Sequence, residues 1–149
     1  MVLKAYPKTS DSGISRACDV GGTSEHKEGR AWDWHVSSFT QDATARELLH
    51  WLLATDKYGN KNARARRLGI MYMIYDKRIW GAYRASEGWR PYSCSGVTGC
   101  HQDHVHFSFS WAGARERTSW WSGNPVLTGE PAGPVPVTSV AGTLPEPVG

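Results

Sequence analysis

The stretch from His104 to Ser110 reads His-Val-His-Phe-Ser-Phe-Ser, and its polar and apolar side chains alternate without a break. Successive side chains of a strand point to opposite faces, so this pattern predicts a β-strand with a polar face and an apolar face. Both histidines lie on the polar face. Alternation of this kind is typical of antiparallel sheets, which have one face packed on a core and one face open.

Two further strands are predicted on the same grounds. Residues 30 to 36 also alternate, with Ala31, Asp33 and His35 on one face and three apolar residues on the other. The run Ile-Met-Tyr-Met-Ile-Tyr over residues 70 to 75 is apolar throughout and is bounded by Gly69 and Asp76. A short run rich in β-branched and aromatic residues predicts a central strand, with its Met and Tyr residues in the core.

Helical spacing occurs between the strand of residues 30 to 36 and the strand of residues 70 to 75. Leucines recur at helical spacing between Thr40 and Tyr58, where Asp42 can cap the start and Gly59 can end the helix. A second, shorter helix is predicted from Lys61 to Leu68. The predicted fold class is therefore α+β: a small, largely antiparallel sheet with its polar face open and the helices of residues 42 to 68 packed on the other face.

Length and composition bound the domain organisation. The chain has 149 residues, of which 40% are hydrophobic, and this is enough for one domain with a buried core. From about Asn124 onward Pro, Gly, Val, Thr and Glu dominate without an apolar period. We predict a domain over residues 1–112 and a flexible, Pro/Gly-rich tail or linker over residues 113–149.

The charge and the hydropathy pattern exclude two classes of partner. A formal net charge of +3 suits an anionic surface such as a bacterial wall, but it falls short of a nucleic-acid-binding signature. No stretch approaches the roughly 18 apolar residues that a membrane span needs. The first residues lack the apolar core of a secretory signal. We therefore expect neither a nucleic-acid partner nor a membrane partner.

The three cysteines allow two arrangements. Cys94 and Cys100 can close a small disulfide loop and leave Cys18 over, which would fit an oxidising compartment. Alternatively, Cys94, Cys100 and His101 can bind zinc, although their spacing is not that of a CxxC knuckle.

Two separate segments offer the donors of a catalytic zinc site. Residues 24–33 read Ser-Glu-His-Lys-Glu-Gly-Arg-Ala-Trp-Asp, and residues 103–106 read Asp-His-Val-His. Catalytic zinc has three protein ligands and one open position, and His26, Asp33 and His106 can supply the ligands for one ion. Asp103 and His104 remain for proton handling.

Other interpretations of these residues are weaker. A non-haem iron oxygenase also uses two His and one carboxylate, but its first pair is normally H-x-D, whereas six residues separate His26 from Asp33. A metal nuclease would need a more basic surface. The isolated histidines His35, His50 and His101 are expected to be structural or on the surface, although His35 shares the face of Asp33 and can lie behind the ligands.

The two segments resemble a known group of zinc peptidases. Residues 24–33 match the S-x-H-x-x-G-x-A-x-D motif of the group that comprises D-alanyl-D-alanine carboxypeptidases, vancomycin-resistance D,D-dipeptidases, lysostaphin-like enzymes and the hedgehog domain. The D-H-V-H segment resembles their second motif. The intervening Ile79-Trp80 and Gly88-Trp89-Arg90 are similar to an actinobacterial wall-associated branch.

The resemblance implies roles for named residues. It implies a hedgehog/D-Ala-D-Ala peptidase-like fold with one zinc ion held by His26, Asp33 and His106. It also implies that Asp103 is the general base and that His104 stabilises the oxyanion or assists proton transfer. Members of the carboxypeptidase type bind the substrate's terminal carboxylate with an arginine upstream of the first ligand, and Arg16 is the local match, with Arg30 and Arg90 as alternatives.

The implied function is hydrolysis of peptide bonds in peptidoglycan stem peptides, next to a D-amino acid. Both carboxypeptidase and endopeptidase action fit the motifs. The alternative is a wall-binding module that binds the metal without catalysis. The resemblance to the hedgehog domain is the reason to consider this alternative. We expect a monomer that acts outside the cell or in the cell wall on peptidoglycan peptides.

Overall fold

The computed structural model describes residues 1–14 and 24–123. They form six strands, five α-helices and one 3₁₀-helix. In chain order these elements are α1 (Val2–Ala5), β1 (Ser10–Gly13), β2 (Ala31–His35), α2 (Asp42–Leu53), α3 (Ala63–Leu68), β3 (Ile70–Tyr75), β4 (Arg78–Gly81), the 3₁₀-helix (Ala82–Glu87), β5 (Arg90–Pro91), β6 (His104–Phe109), α4 (Trp111–Ala114) and α5 (Ser119–Ser122).

The described strands form one antiparallel sheet in the order β1-β2-β6-β3-β4-β5. This confirms the predicted α+β class and the central position of the strand at residues 70 to 75. The two alternating strands are also present, each slightly shorter than predicted. Strand β6 stops before Ser110 because that residue is the N-cap of α4. Its side chain accepts a hydrogen bond from Gly113 N–H.

The core lies between the helices and one face of the sheet. The apolar side chains of the alternating strands point to this face, and the leucines of α2 pack against them, as predicted. The most deeply buried members are Trp34, Val36, Ala45, Leu48, Ala65, Met73, Trp80 and Val105. The other face of the sheet carries the predicted metal ligands.

The predicted helix from Thr40 to Tyr58 is too long at its carboxyl end. Helix α2 stops at Leu53, and Ala54 is already extended, with φ −64° and ψ 148°. The chain then turns around Asp56, whose side chain accepts hydrogen bonds from the backbone N–H groups of Tyr58 and Asn60. An aspartate that binds nearby backbone groups competes with helix formation, so the leucine pattern alone overstates the length.

Gly69 ends α3 in a left-handed conformation with φ 76°. A side chain at this position would also collide with the backbone of α4, since a Cβ atom there would lie 2.8 Å from the Cα of Gly113. The short helix α4 thus packs directly on the end of α3.

The described chain continues past the predicted domain boundary at residue 112. Trp120 of α5 is 1% exposed and its ring packs edge-on against Trp51 of α2, with 5.6 Å between centroids. Arg67 also donates a hydrogen bond to the Ser119 carbonyl. Helix α5 therefore packs against the helical layer, whereas residues 124–149 of the predicted tail lie outside the described part.

Cys94 and Cys100 form a disulfide, with 5.0 Å between their Cα atoms. Their sulfur atoms are therefore not available for the alternative zinc site with His101. Cys18 lies outside the described residues. Among the helices of the described segments, none has the length and apolar character required to cross a membrane.

Candidate metal centre

The three predicted ligands converge on the open face of the sheet. Asp33 of β2 and His106 of β6 are direct partners across the two strands, so their side chains share one face. The Oδ1 atom of Asp33 lies 2.9 Å from Nδ1 of His106 and 3.2 Å from Nε2 of His26. The two imidazole nitrogens are themselves 3.2 Å apart.

These distances fit a zinc ion. Ligand atoms about 2.0–2.1 Å from a tetrahedral zinc lie roughly 3.3 Å from one another. One donor atom from each of the three residues lies within 4.8 Å of the other two, and the separations above are close to the tetrahedral edge. Two imidazoles and one carboxylate also form a donor set that suits zinc. The residues present therefore fit this metal.

His26 comes from an irregular loop of residues 24 to 30 rather than from a strand. Its Nδ1 lies 3.1 Å from the carbonyl oxygen of Ile14 and donates a hydrogen bond to it. With Nδ1 engaged in this bond, Nε2 is the ring nitrogen that faces Asp33 and His106. A backbone carbonyl behind a ligating histidine orients the ring in the same way in many metal sites.

The carboxylate of Asp33 stays charged in this cluster. Burial alone would raise the pKa of Asp33, but the hydrogen bond and the charges of the surrounding imidazoles outweigh burial and lower that pKa. A charged carboxylate is the form that a divalent cation requires. Asp33 therefore presents its carboxylate to the open face in the charged form.

Asp103 and His104 form a pair beside this cluster. His104 Nδ1–H donates to Asp103 Oδ1 at 2.6 Å, and the Thr98 hydroxyl donates to Asp103 Oδ2 at 2.7 Å. These bonds outweigh the effect of burial and lower the pKa of Asp103. His104 Nε2 then lies 3.8 Å from Asp33 Oδ1, so His104 stands between Asp103 and the metal ligands.

Two residues that lie beside the predicted ligands were not predicted to be there from the sequence. The ring of His101, expected to be structural or exposed, lies 4.6 Å from that of His104 and 5.8 Å from that of His106. Burial and then these two imidazoles lower the pKa of His101 to about 4, so it is neutral at pH 7. Tyr72, expected in the core, instead stacks on His106.

No strong sequence signal points to these two residues. His101 lies next to the second motif but outside it, in a turn where it adopts a φ of 54°. Tyr72 lies in a run of residues that is apolar on both faces, so the pattern does not distinguish it from core residues. His35, in contrast, is exposed and pairs with His104 only across the strand backbones.

The three arginines considered for carboxylate binding differ in their surroundings. Arg16 lies outside the described residues. Arg30 is engaged in the fold, since it donates to the Phe109 carbonyl at 2.8 Å and pairs with Glu28. Arg90 lies on β5 with its Nε 3.5 Å from a carboxylate oxygen of Glu87.

Comparison with known protein families finds one family that this chain matches. A family model described as VldE, C-terminal domain, matches residues 1–105, which is more than half of the chain. This span contains His26, Asp33 and the Asp103–His104 pair and ends one residue before His106. Neither a curated protein nor a solved structure matches significantly.

Proposed function

The chain belongs to the VldE C-terminal domain family, and from its site we propose that it is a zinc metallopeptidase that hydrolyses peptide bonds in peptidoglycan stem peptides. The observation that carries this proposal is the convergence of His26, Asp33 and His106, with 2.9–3.2 Å between their donor atoms, beside the Asp103–His104 pair. The fold that we propose is the hedgehog/D-Ala-D-Ala peptidase-like one.

The proposed reaction needs a metal that activates the carbonyl and the water, and side chains that transfer the proton. Bound zinc would supply a Lewis acid that polarises the peptide carbonyl and makes water acidic enough to attack it near neutral pH. The Asp103–His104 pair takes the proton of the attacking water and returns it to the nitrogen of the leaving amine. Asp103 is the base that the resemblance implies. His104, held by Asp103, lies nearest the ligands and also assists at the developing oxyanion.

Substrate class and location follow from the resemblance and from the disulfide. We propose cleavage next to a D-amino acid, with the guanidinium of Arg16 binding a substrate carboxylate. The Cys94–Cys100 disulfide supports an oxidising compartment, which fits a monomer acting outside the cell or in the wall. The mild positive charge suits an anionic wall polymer.

The test is digestion of purified muropeptides followed by mass spectrometry, with and without a chelator. We expect cleavage next to a D-amino acid that stops when zinc is removed. Asp103→Ala should lower kcat/KM at least about 100-fold, because general acid–base catalysis contributes that much, while the protein keeps one zinc.

Two results would contradict this proposal. Cleavage by Asp103→Ala at the wild-type rate would show that the pair does not handle the proton. Binding of zinc and of wall fragments without any cleavage would favour the non-catalytic binding module instead. Asp56→Asn is a suitable control, since this carboxylate makes its hydrogen bonds within the loop between α2 and α3.

A further inference from the structure

The loop of residues 24 to 30 carries His26, and its backbone bonds are local except at its end, where the Arg30 carbonyl accepts from Phe109 N–H at 2.7 Å. Gly29 N–H donates to the His26 carbonyl at 3.2 Å, and Arg30 N–H donates to the Glu25 carbonyl at 2.9 Å. Turn bonds of this kind set the shape of the loop. They do not set the distance of His26 from β2 and β6, which carry the other two ligands. Contacts with other segments fix where His26 lies, and one of them is the bond between its Nδ1 and the Ile14 carbonyl.

Tyr72 of β3 makes such a contact. Its hydroxyl donates a hydrogen bond of 2.9 Å to Oε2 of Glu25, the residue before His26. Its ring stacks on the imidazole of His106, with 5.6 Å between centroids and 21° between planes. One side chain therefore contacts a ligand on β6 and the neighbour of a ligand in the loop.

The bond between Tyr72 and Glu25 joins a neutral donor to a charged acceptor. Both side chains are half-buried, so this bond is partly shielded from water. Hydrogen bonds to a charged acceptor are stronger than those between neutral groups.

We propose that Tyr72 and Glu25 are positioning residues of the metal centre, which tie the His26 loop to β3 at the separation that zinc requires. Neither residue offers a ligand atom to the cluster. Tyr72 acts on both sides of the centre, through stacking on His106 and through the bond to Glu25. The inference rests on the proposed metal centre, but it does not depend on which peptide bond is cleaved.

The experiment measures the zinc dissociation constant of the full chain by competition with a chromophoric chelator. Tyr72→Phe keeps the ring on His106 and removes the hydroxyl. We expect its zinc affinity to fall about tenfold, because groups that orient ligands typically contribute about 10- to 100-fold to metal affinity. Glu25→Ala should weaken zinc binding similarly. The double variant should bind no more weakly than the weaker single variant, since both changes remove the same bond.

Tyr75→Phe is the matched control. Tyr75 lies on the same strand, and its hydroxyl also donates to a carboxylate at 2.9 Å, that of Asp42 on α2. It should retain the wild-type zinc affinity. Melting temperatures of the metal-free proteins separate a loss of folding from a loss of affinity, and Glu25→Ala provides a second test should Tyr72→Phe not fold.

The outcomes distinguish this inference from the proposed function. If Tyr72→Phe and Glu25→Ala bind zinc as tightly as Tyr75→Phe, the inference is overturned, whereas cleavage by the wild type would leave the proposed function standing. If the wild type binds no zinc at these residues, both are overturned. A loss of affinity confined to the Tyr72 and Glu25 variants supports the inference even where no peptide is cleaved.

Discussion

Asp103 has both carboxylate oxygens occupied, one by the Thr98 hydroxyl and one by His104 Nδ1–H. Such an arrangement leaves the carboxylate little freedom to rotate, and His104 is held with its Nε2 toward Asp33. Thr98 lies in the loop that the Cys94–Cys100 disulfide closes. A residue of an exposed turn thus contacts the Asp103–His104 pair through one hydrogen bond.

Thr98→Val should therefore lower kcat for muropeptide cleavage about fivefold, the effect of losing one hydrogen bond worth about 1 kcal/mol. KM and zinc content should stay unchanged, because Thr98 contacts neither ligands nor the metal position. Thr98→Ser keeps the donor and should retain the wild-type rate. Equal kcat values for the Val and Ser variants would show that Asp103 needs no such support.

The motif residues could be predicted because their chemistry is local to the sequence. His26, Asp33 and His106 are ligand types at defined spacings, and alternation places Asp33 and His106 on the polar faces of their strands. Tyr72 and His101 could not be predicted in this way. Tyr72 reaches the site because β3 pairs with β6, which is a contact between distant parts of the chain. His101 lies only three residues before His104, but a turn with a φ of 54° brings its ring there, and no alternating pattern indicates that turn.

The loop between α2 and α3 shows why element boundaries are harder to predict than elements. The leucine pattern continues to Leu53, whereas the residues that end the helix act through side-chain bonds to the backbone. Asp56 accepts from Tyr58 N–H and Asn60 N–H, both at 2.9 Å, and from the Asn60 side chain. Likewise, the short helix α5 has no periodic signal, and its packing follows from the contact of Trp120 with Trp51 and the bond of Arg67 to Ser119.

Asp56→Asn should destabilise the protein at pH 7 by on the order of 1 kcal/mol, since a neutral amide is a weaker acceptor for these donors. Burial would raise the pKa of Asp56, but the bonds from Asn60 and Tyr58 outweigh it, so the folded protein has the lower pKa. A lowered pKa contributes stability above the unfolded value of about 3.9, and this contribution is lost as the pH falls through the folded value.

The difference in unfolding free energy between wild type and Asp56→Asn should therefore be constant near neutral pH and shrink below about pH 4. Urea unfolding at pH 7, 5, 4 and 3 measures it. A difference that stays the same down to pH 3 would show that the charge of Asp56 does not contribute to the loop.

Zinc should stabilise the whole molecule, because its three ligands meet only when the chain is folded. His26 lies in a loop, Asp33 on β2 and His106 on β6, and the unfolded chain cannot hold these donors together. A ligand that binds only the folded state at 100 times its dissociation constant adds about 2.7 kcal/mol. For a chain of this size that corresponds to a rise in Tm of roughly 6–10 °C.

His26→Ala should lose most of this zinc-dependent rise in Tm, since it removes one of three ligands. His35→Ala is the matched control: His35 lies on the same strand face as Asp33 but is exposed and outside the cluster. Thermal unfolding with zinc and with a chelator, monitored by circular dichroism, measures the rise for each protein. If His26→Ala gained as much from zinc as the wild type, the ion would be bound elsewhere. The cluster on the open face of the sheet could then not be the catalytic centre.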